Sequence, residues 1–95
     1  MNKSELIKWV ANEQSVSAKQ AGENVDAVLA GIVHGIKTDG EVRIPGFGSF
    51  LRKLRAARMG VKPTDGSKIM IPARWIASWR VSSRIKDLIN ENNDA

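Results

Sequence analysis

Between positions 43 and 86 the chain carries eleven cationic side chains: Arg43, Arg52, Lys53, Arg55, Arg58, Lys62, Lys68, Arg74, Arg80, Arg84 and Lys86. Asp65 is the only acidic residue among them. Positions 1 to 42 lean the other way, with Lys3, Lys8, Lys19 and Lys37 against Glu5, Glu13, Glu23, Asp26, Asp39 and Glu41. The chemistry open to so many cations is multipoint binding of a polyanion. Seven of the eleven are arginine, whose planar fork fits phosphate oxygens and grooves better than an ammonium does. A basic excess alone is as often a solvated surface as a binding one; here the segregation favours binding. The net charge of +5 understates the field of the second half.

The residues around these cations say how they are presented. Arg43-Ile44-Pro45-Gly46-Phe47-Gly48-Ser49-Phe50 reads as a short apolar strand and a glycine-framed turn. It runs into Leu51 to Pro63, a basic stretch with too few large apolar residues to be core. The stretch ends at a proline among turn residues. This is the pattern of a protruding basic arm, and duplex DNA is the polyanion it fits best.

Other chemistries find little support. With no cysteine there is neither a disulfide framework nor a Cys-based zinc site. His34 is the only histidine, and it falls within a helical pattern without a nucleophile or carboxylate pair around it. Gly46-x-Gly48 leads into a strand, so it is not a phosphate-cradling loop that opens a helix. A nuclease needs clustered carboxylates for metal, and the basic half offers Asp65 almost alone. No enzyme activity, metal or cofactor is expected. The first apolar cluster, Leu6, Ile7, Trp9 and Val10, is too short for a signal peptide or a membrane span. The expectation is a cytoplasmic protein with no membrane partner. The arm lacks the aromatic residues that stack single-stranded bases, which leaves RNA as a secondary ligand at most.

The positioning elements follow from periodicity. Asn2 with Glu5 three residues on predicts a capped first helix that breaks within Asn12 to Ser15. Ser17 with Gln20 repeats the signature. It opens a second helix whose stripe is Ala21, Val25, Val28, Leu29, Ile32, Val33 and Ile36, ended by Asp39-Gly40. Gly22, Gly31 and Gly35 inside it each cost roughly 0.8–1 kcal/mol relative to alanine. Either they are tolerated weak positions, or Gly31 and Gly35 make a smooth patch for another helix. Glu41 to Ile44 predicts a strand, and a second starts near Ser49. Lys62 to Ser67 holds a Pro and Asp-Gly turn. Lys68 to Ile71 is the return strand. Arg74 to Arg80 is a further strand, with Trp75, Ala77 and Trp79 on one face and Ile76 and Ser78 on the other. Ser82 or Ser83 caps a last short helix with Ile85, Leu88 and Ile89 inward, and residues 91–95 are expected to fray. The fold class is α+β: two N-terminal helices, a three-stranded antiparallel sheet carrying a long protruding β-ribbon arm, and a short C-terminal helix. About seventy residues outside the arm form too small a body to be stable alone, which predicts a homodimer.

The opening Met1 to Ile7, the Val42 to Phe50 segment, Ala57-Arg58, Gly60, Pro63, Gly66, Ile69, Ile71-Pro72-Ala73 and Ile85-Lys86-Asp87 resemble the bacterial HU family, which includes integration host factor. The likeness runs without a gap to about Ile89. It implies an intertwined dimer: residues 1–51 and 75–90 form the body, and residues 52–74 the arm. It implies a dimer core that includes Phe47, Phe50, Trp79, Leu29, Ile32 and Ile36. It further implies arms lying in the minor groove, a proline at each tip, here Pro63, wedged between base pairs, and a nucleoid-associated protein that wraps, bends and condenses DNA. The expected DNA contacts are Arg52, Lys53, Arg55, Arg58, Val61, Lys62, Pro63, Lys68 and Arg74 on the arm, with Arg80, Arg84 and Lys86 on the body. Strand alternation allows only part of that set to face DNA at once. Arg55 and Arg58 are the favoured arm contacts.

The chain departs from the family's pattern at the tip, where Val61 and Lys62 stand in place of the usual arginine and asparagine. Val61 offers no hydrogen bond to the groove but adds apolar surface. Ser82 replaces a usual glycine and Trp79 a usual phenylalanine. Arg74 and Arg80 slightly resemble integration host factor, a site-preferring heterodimer. A heterodimeric, site-preferring or phage- or element-encoded form is therefore the alternative to an HU-like protein with little sequence preference.

Overall fold

A computed structural model describes residues 1–91 as two compact units, one covering Met1–Thr38 and the other the chain from Asp39 on. Residues 92–95, most of the expected frayed tail, lie outside the described residues.

The first unit is a pair of helices, α1 (Lys3–Gln14) and α2 (Ala18–Asp39). Asn2 caps α1, its Oδ1 accepting from the Glu5 amide at 2.9 Å. Ser17 Oγ does the same for Gln20 at 3.1 Å and opens α2. Both satisfy amides that a helix start leaves without partners. The first helix ends within the Asn12 to Ser15 stretch, as the polar run suggested. It continues through Gln14 and stops at Ser15, which takes a left-handed conformation (φ +54°) and returns its amide to the carbonyls of Ala11 and Asn12. Polar residues lower helix propensity only slightly, so the terminator is the backbone reversal. Lys3 Nζ reaches Asp26 at 2.8 Å, and Asn24 Nδ2 donates to Gln14 Oε1 at 2.9 Å. These two contacts and the Ile7 side chain beside Gly22 fix how the helices meet.

In the second unit β1 (Glu41–Ile44), β2 (Gly48–Arg55) and β5 (Arg74–Val81) form a three-stranded antiparallel sheet in that order. β3 (Arg58–Val61) and β4 (Lys68–Ile71) form a two-stranded ribbon. Ser82 caps α3 (Ser83–Asn90), accepting from the Ile85 amide at 3.4 Å. The Ile44 to Phe47 turn has the features of a type II turn: Pro45 presets φ, Gly46 supplies φ +78°, and the Phe47 amide donates to the Ile44 carbonyl at 3.0 Å.

The two antiparallel ladders share one register. Gly48 pairs with Val81 and Arg55 with Arg74; Arg58 pairs with Ile71 and Val61 with Lys68. The Lys62 amide donating to the Ser67 carbonyl at 2.8 Å carries the same register one step further. Residues 48–62 and 67–81 are therefore one long hairpin. It is interrupted only at Ala56-Ala57 and the facing Pro72-Ala73, where proline has no amide to give the ladder. β1 pairs β2 no further than Leu51, and the Arg52 amide still donates to the Gly40 carbonyl at 3.1 Å, so from Lys53 outward the hairpin is two strands wide.

Burial is thin. Among the described residues only Ala11 and Ala21 are buried, and Leu29, Val33, Phe47 and Trp79 are all among the exposed large apolar residues. Of the other expected core residues, Ile32, Ile36 and Phe50 are half-buried.

Candidate nucleic-acid interface

Register decides which cations can act together. Residues paired across an antiparallel ladder point to the same side, and sides alternate along each strand. Phe50 pairs with Trp79, Arg52 with Ala77 and Leu54 with Trp75, so these six share one face. Ser49 pairs with Arg80, Lys53 with Ile76 and Arg55 with Arg74, so these share the other. Arg43, opposite Ser49 on the β1 side, joins that second face.

The first face is aromatic. The rings of Phe47, Phe50 and Trp79 stack with centroid separations of 5.3 to 6.1 Å. Such pairs contribute roughly 0.5–1.5 kcal/mol each beyond their burial. Further out, the Arg52 guanidinium lies 4.6 Å from the centroid of the Trp75 ring. Arg52 thus stands on the face opposite Lys53 and Arg55, although the three are close in sequence.

The second face is basic: Arg43, Lys53, Arg55, Arg74 and Arg80, with small or apolar Ser49, Leu51, Ile76 and Ser78 between them. Arg43 approaches Glu41 at 3.7 Å. Among the described residues the other four have no carboxylate partner. Where the ladder is interrupted, a hollow of about 510 Å³ is lined by Arg55, Arg58 and Arg74 together with Ala56, Ile71, Pro72 and Ile76. On a flat ribbon Arg58 would point away from Arg55. The interruption lets the chain turn so that both border the same hollow.

From Lys53 to Met70 every residue is exposed except half-buried Gly60, so this ribbon has no core of its own. The turn at its tip is held by polar contacts. Gly66 takes φ +73° and donates to the Lys62 carbonyl at 2.9 Å. Asp65 Oδ1 accepts from Ser67 Oγ at 2.7 Å and from the Ser67 amide at 2.9 Å. Those two bonds, side chain first, hold the Asp65 carboxyl below its ordinary value of 3.8. A carboxyl depressed in the folded state adds order that is complete above its ordinary value and is lost as pH falls through the lowered one. Acidification well below pH 4 is therefore expected to lower the protection of the Ser67 amide relative to its intrinsic exchange rate, whereas Asp65→Asn, which does not titrate, should show no acid step. An identical acid step in the variant would assign the effect elsewhere.

Val61, Lys62, Pro63 and Lys68 are grouped at this tip, and all are exposed. Arg84 and Lys86 are exposed on α3, with the Arg84 stem beside Gly46. The structure therefore brings Lys53, Arg55, Arg74 and Arg80 together, adds Arg58 at the hollow, and leaves Arg52 with Trp75. It also supplies a cation that sequence reasoning left out of the site. Arg43 was legible as the polar position between Val42 and Ile44, but only the β1–β2 pairing puts it in one row with Ser49 and Arg80.

Among the described residues no cluster of three His, Cys, Asp or Glu side chains is placed to hold a metal, and no helix is long and apolar enough to cross a membrane.

The family model described as bacterial DNA-binding protein matches residues 1–90. DNA-binding protein HU-beta of Escherichia coli K12 is 39% identical over 90 residues, covering 95% of this chain and all of the relative. DNA-binding protein HU-1 of Halalkalibacterium halodurans is 40% identical over 90 residues, with the same coverage. A prophage-derived DNA-binding protein HU 2 of Bacillus subtilis is 40% identical over 89 residues, covering 94% of this chain and 97% of the relative. Among solved structures, an Anabaena HU–DNA cocrystal matches with a TM-score of 0.88 and 34% identity, over 94% of this chain and 97% of that one. Matched over nearly all of its length in sequence and in fold, the chain belongs to the bacterial DNA-binding protein family of the HU type.

Proposed function

We propose that this protein is an architectural, histone-like DNA-binding protein that wraps and bends duplex DNA with little sequence preference, and so condenses and organises the nucleoid in the cytoplasm. The observation that carries the reading is the one-sided basic face. Lys53, Arg55, Arg74 and Arg80 point the same way, and none has a carboxylate partner among the described residues. Unpaired cations spaced along a rigid ladder meet phosphates without first breaking an internal ion pair. Contacts to phosphate position a protein on DNA and carry no sequence information, which suits a binder that reads deformability instead.

The β3–β4 ribbon is the arm in this reading, lying in the minor groove with Pro63 at its tip as the wedge. Unstacking a base step costs a few kcal/mol and is offset by the added contacts of bent DNA. Val61 beside the wedge enlarges its apolar surface. Arg84 and Lys86 hold flanking phosphates from α3.

The working unit is a homodimer. A chain whose only buried residues among those described are two alanines has little core of its own, and Leu6, Val10, Val25, Val28 and Leu29 line an open apolar groove of about 310 Å³ in the helical unit. A second copy covering that groove and the Phe47, Phe50 and Trp79 stack supplies the missing burial.

The test is a salt series against matched intact and nicked duplexes of arbitrary sequence, with sedimentation equilibrium on the same preparation. Contact with about ten phosphates gives a slope of log K against log[salt] near −9. Tighter binding to the nicked duplex and a mass of two chains are expected. A slope near −2 would sink the wrapped model, and a stable folded monomer would sink the dimer.

A further inference from the structure

Two of the three methionines, Met59 and Met70, stand directly opposite each other in the β3–β4 ladder, in a chain without cysteine. Cross-strand partners point to one side, with Cβ atoms about 4.5–5.5 Å apart. Both side chains are open to solvent, Met59 at 57% and Met70 at 62%. Val61 and Lys68, the pair two steps outward, lie on the same side. The result is a short apolar stripe, two thioethers and an isopropyl group, on a ribbon otherwise rich in cations. Nothing in the fold requires methionine there, because the ribbon has no core for it to fill.

We propose that the Met59–Met70 pair is a site of reversible oxidation, and that its conversion to methionine sulfoxide by a hydroperoxide weakens the ribbon's hold on DNA. The second half of this inference rests on the DNA-binding reading above. In the reaction a sulfur lone pair attacks one peroxide oxygen and the O–O bond breaks. A proton passes to the departing oxygen, which leaves as water or an alcohol. The sulfur loses two electrons and the peroxide gains them, so no further reactant is needed. With no thiol in the chain to compete, the exposed thioethers are the softest targets present. Each sulfoxide replaces a polarisable apolar end with a strong dipole that binds water. Two such dipoles side by side on one face turn the stripe from a surface that sheds water against deoxyribose into one that keeps it. Sulfoxide reductases specific for the two epimers reverse the change, so the site can be reset.

The experiment treats the full chain with hydrogen peroxide, locates the added oxygen by peptide mass, and measures affinity for an arbitrary duplex before and after. The comparison protein is Met59→Leu/Met70→Leu, which keeps the apolar volume and removes both sulfurs. Oxidation at both positions is expected to weaken binding of the native chain about tenfold, with a change under about twofold in the double variant. Joint treatment with the two reductases should restore the original affinity. Full sulfoxide at both positions with unchanged affinity would overturn the proposal, as would an equal loss in the double variant. Because the untreated chain is measured first, failure to bind DNA at all appears before any peroxide is added and overturns the DNA reading as well.

Discussion

Alanine at Arg55, Arg58 and Arg74 together is expected to weaken duplex binding by about a hundredfold or more near 0.1 M salt, and to flatten the salt slope by close to three. The three guanidinium groups border one hollow where the sheet gives way to the ribbon. None is in an ion pair among the described residues, so their removal strands no carboxylate. All three are exposed, so the fold should survive with a melting temperature near the native one. The control is Lys8→Ala/Lys19→Ala, on the helices, which should leave the slope unchanged. A triple variant with the native slope would mean that these arginines do not meet phosphate, and would move the interface elsewhere on the chain.

A single methyl group at Gly48 should cost about 3–4 kcal/mol of stability, a large share of what a small domain has. The added carbon would overlap the Arg80 carbonyl oxygen and lie 2.8 Å from Trp79 Nε1. The first obstacle is backbone of the neighbouring strand, so no side-chain rotation relieves it. Gly48 also holds φ +144°, where a β-carbon is strained whatever the space. Gly31 is a useful contrast, since a β-carbon there would meet nothing within 4 Å in the chain. Denaturant melts of Gly48→Ala at fixed protein concentration provide the check. A midpoint equal to the native one would show that β2 and β5 can separate at this end without loss.

Both predictions rest on neighbours across a ladder, and that marks where sequence reading stops. Capping at Asn2 and Ser17, the Pro45-Gly46 turn and the Asp65-Gly66 tip were legible because each is local: the group that satisfies the backbone lies within three residues of it. The alternation of Trp75, Ala77 and Trp79 was legible for the same reason. Which arginines act together was not. Arg52, Lys53 and Arg55 read as one basic run, yet pairing sets Arg52 apart from the other two, and it brings in Arg43 from a different strand. The end of α1 was legible as a polar run over Asn12 to Ser15, whereas the reversal at Ser15 that stops the helix was not. The gap at Pro72-Ala73 between the return strand and the next was legible, whereas the facing interruption at Ala56-Ala57 was hidden, since that dipeptide signals no break by itself.

The common register of the long hairpin restricts how its length can change in evolution. Losing one residue from one strand would misalign every pair beyond the loss. Losing one from each strand would keep the pairing but turn the outer half over, exchanging the Arg58 side for the Met59 side. Only the removal or gain of two residues in both strands preserves both, a step of about 6.8 Å. The reach of this hairpin is therefore quantised, and relatives with longer or shorter ribbons should differ by multiples of four residues.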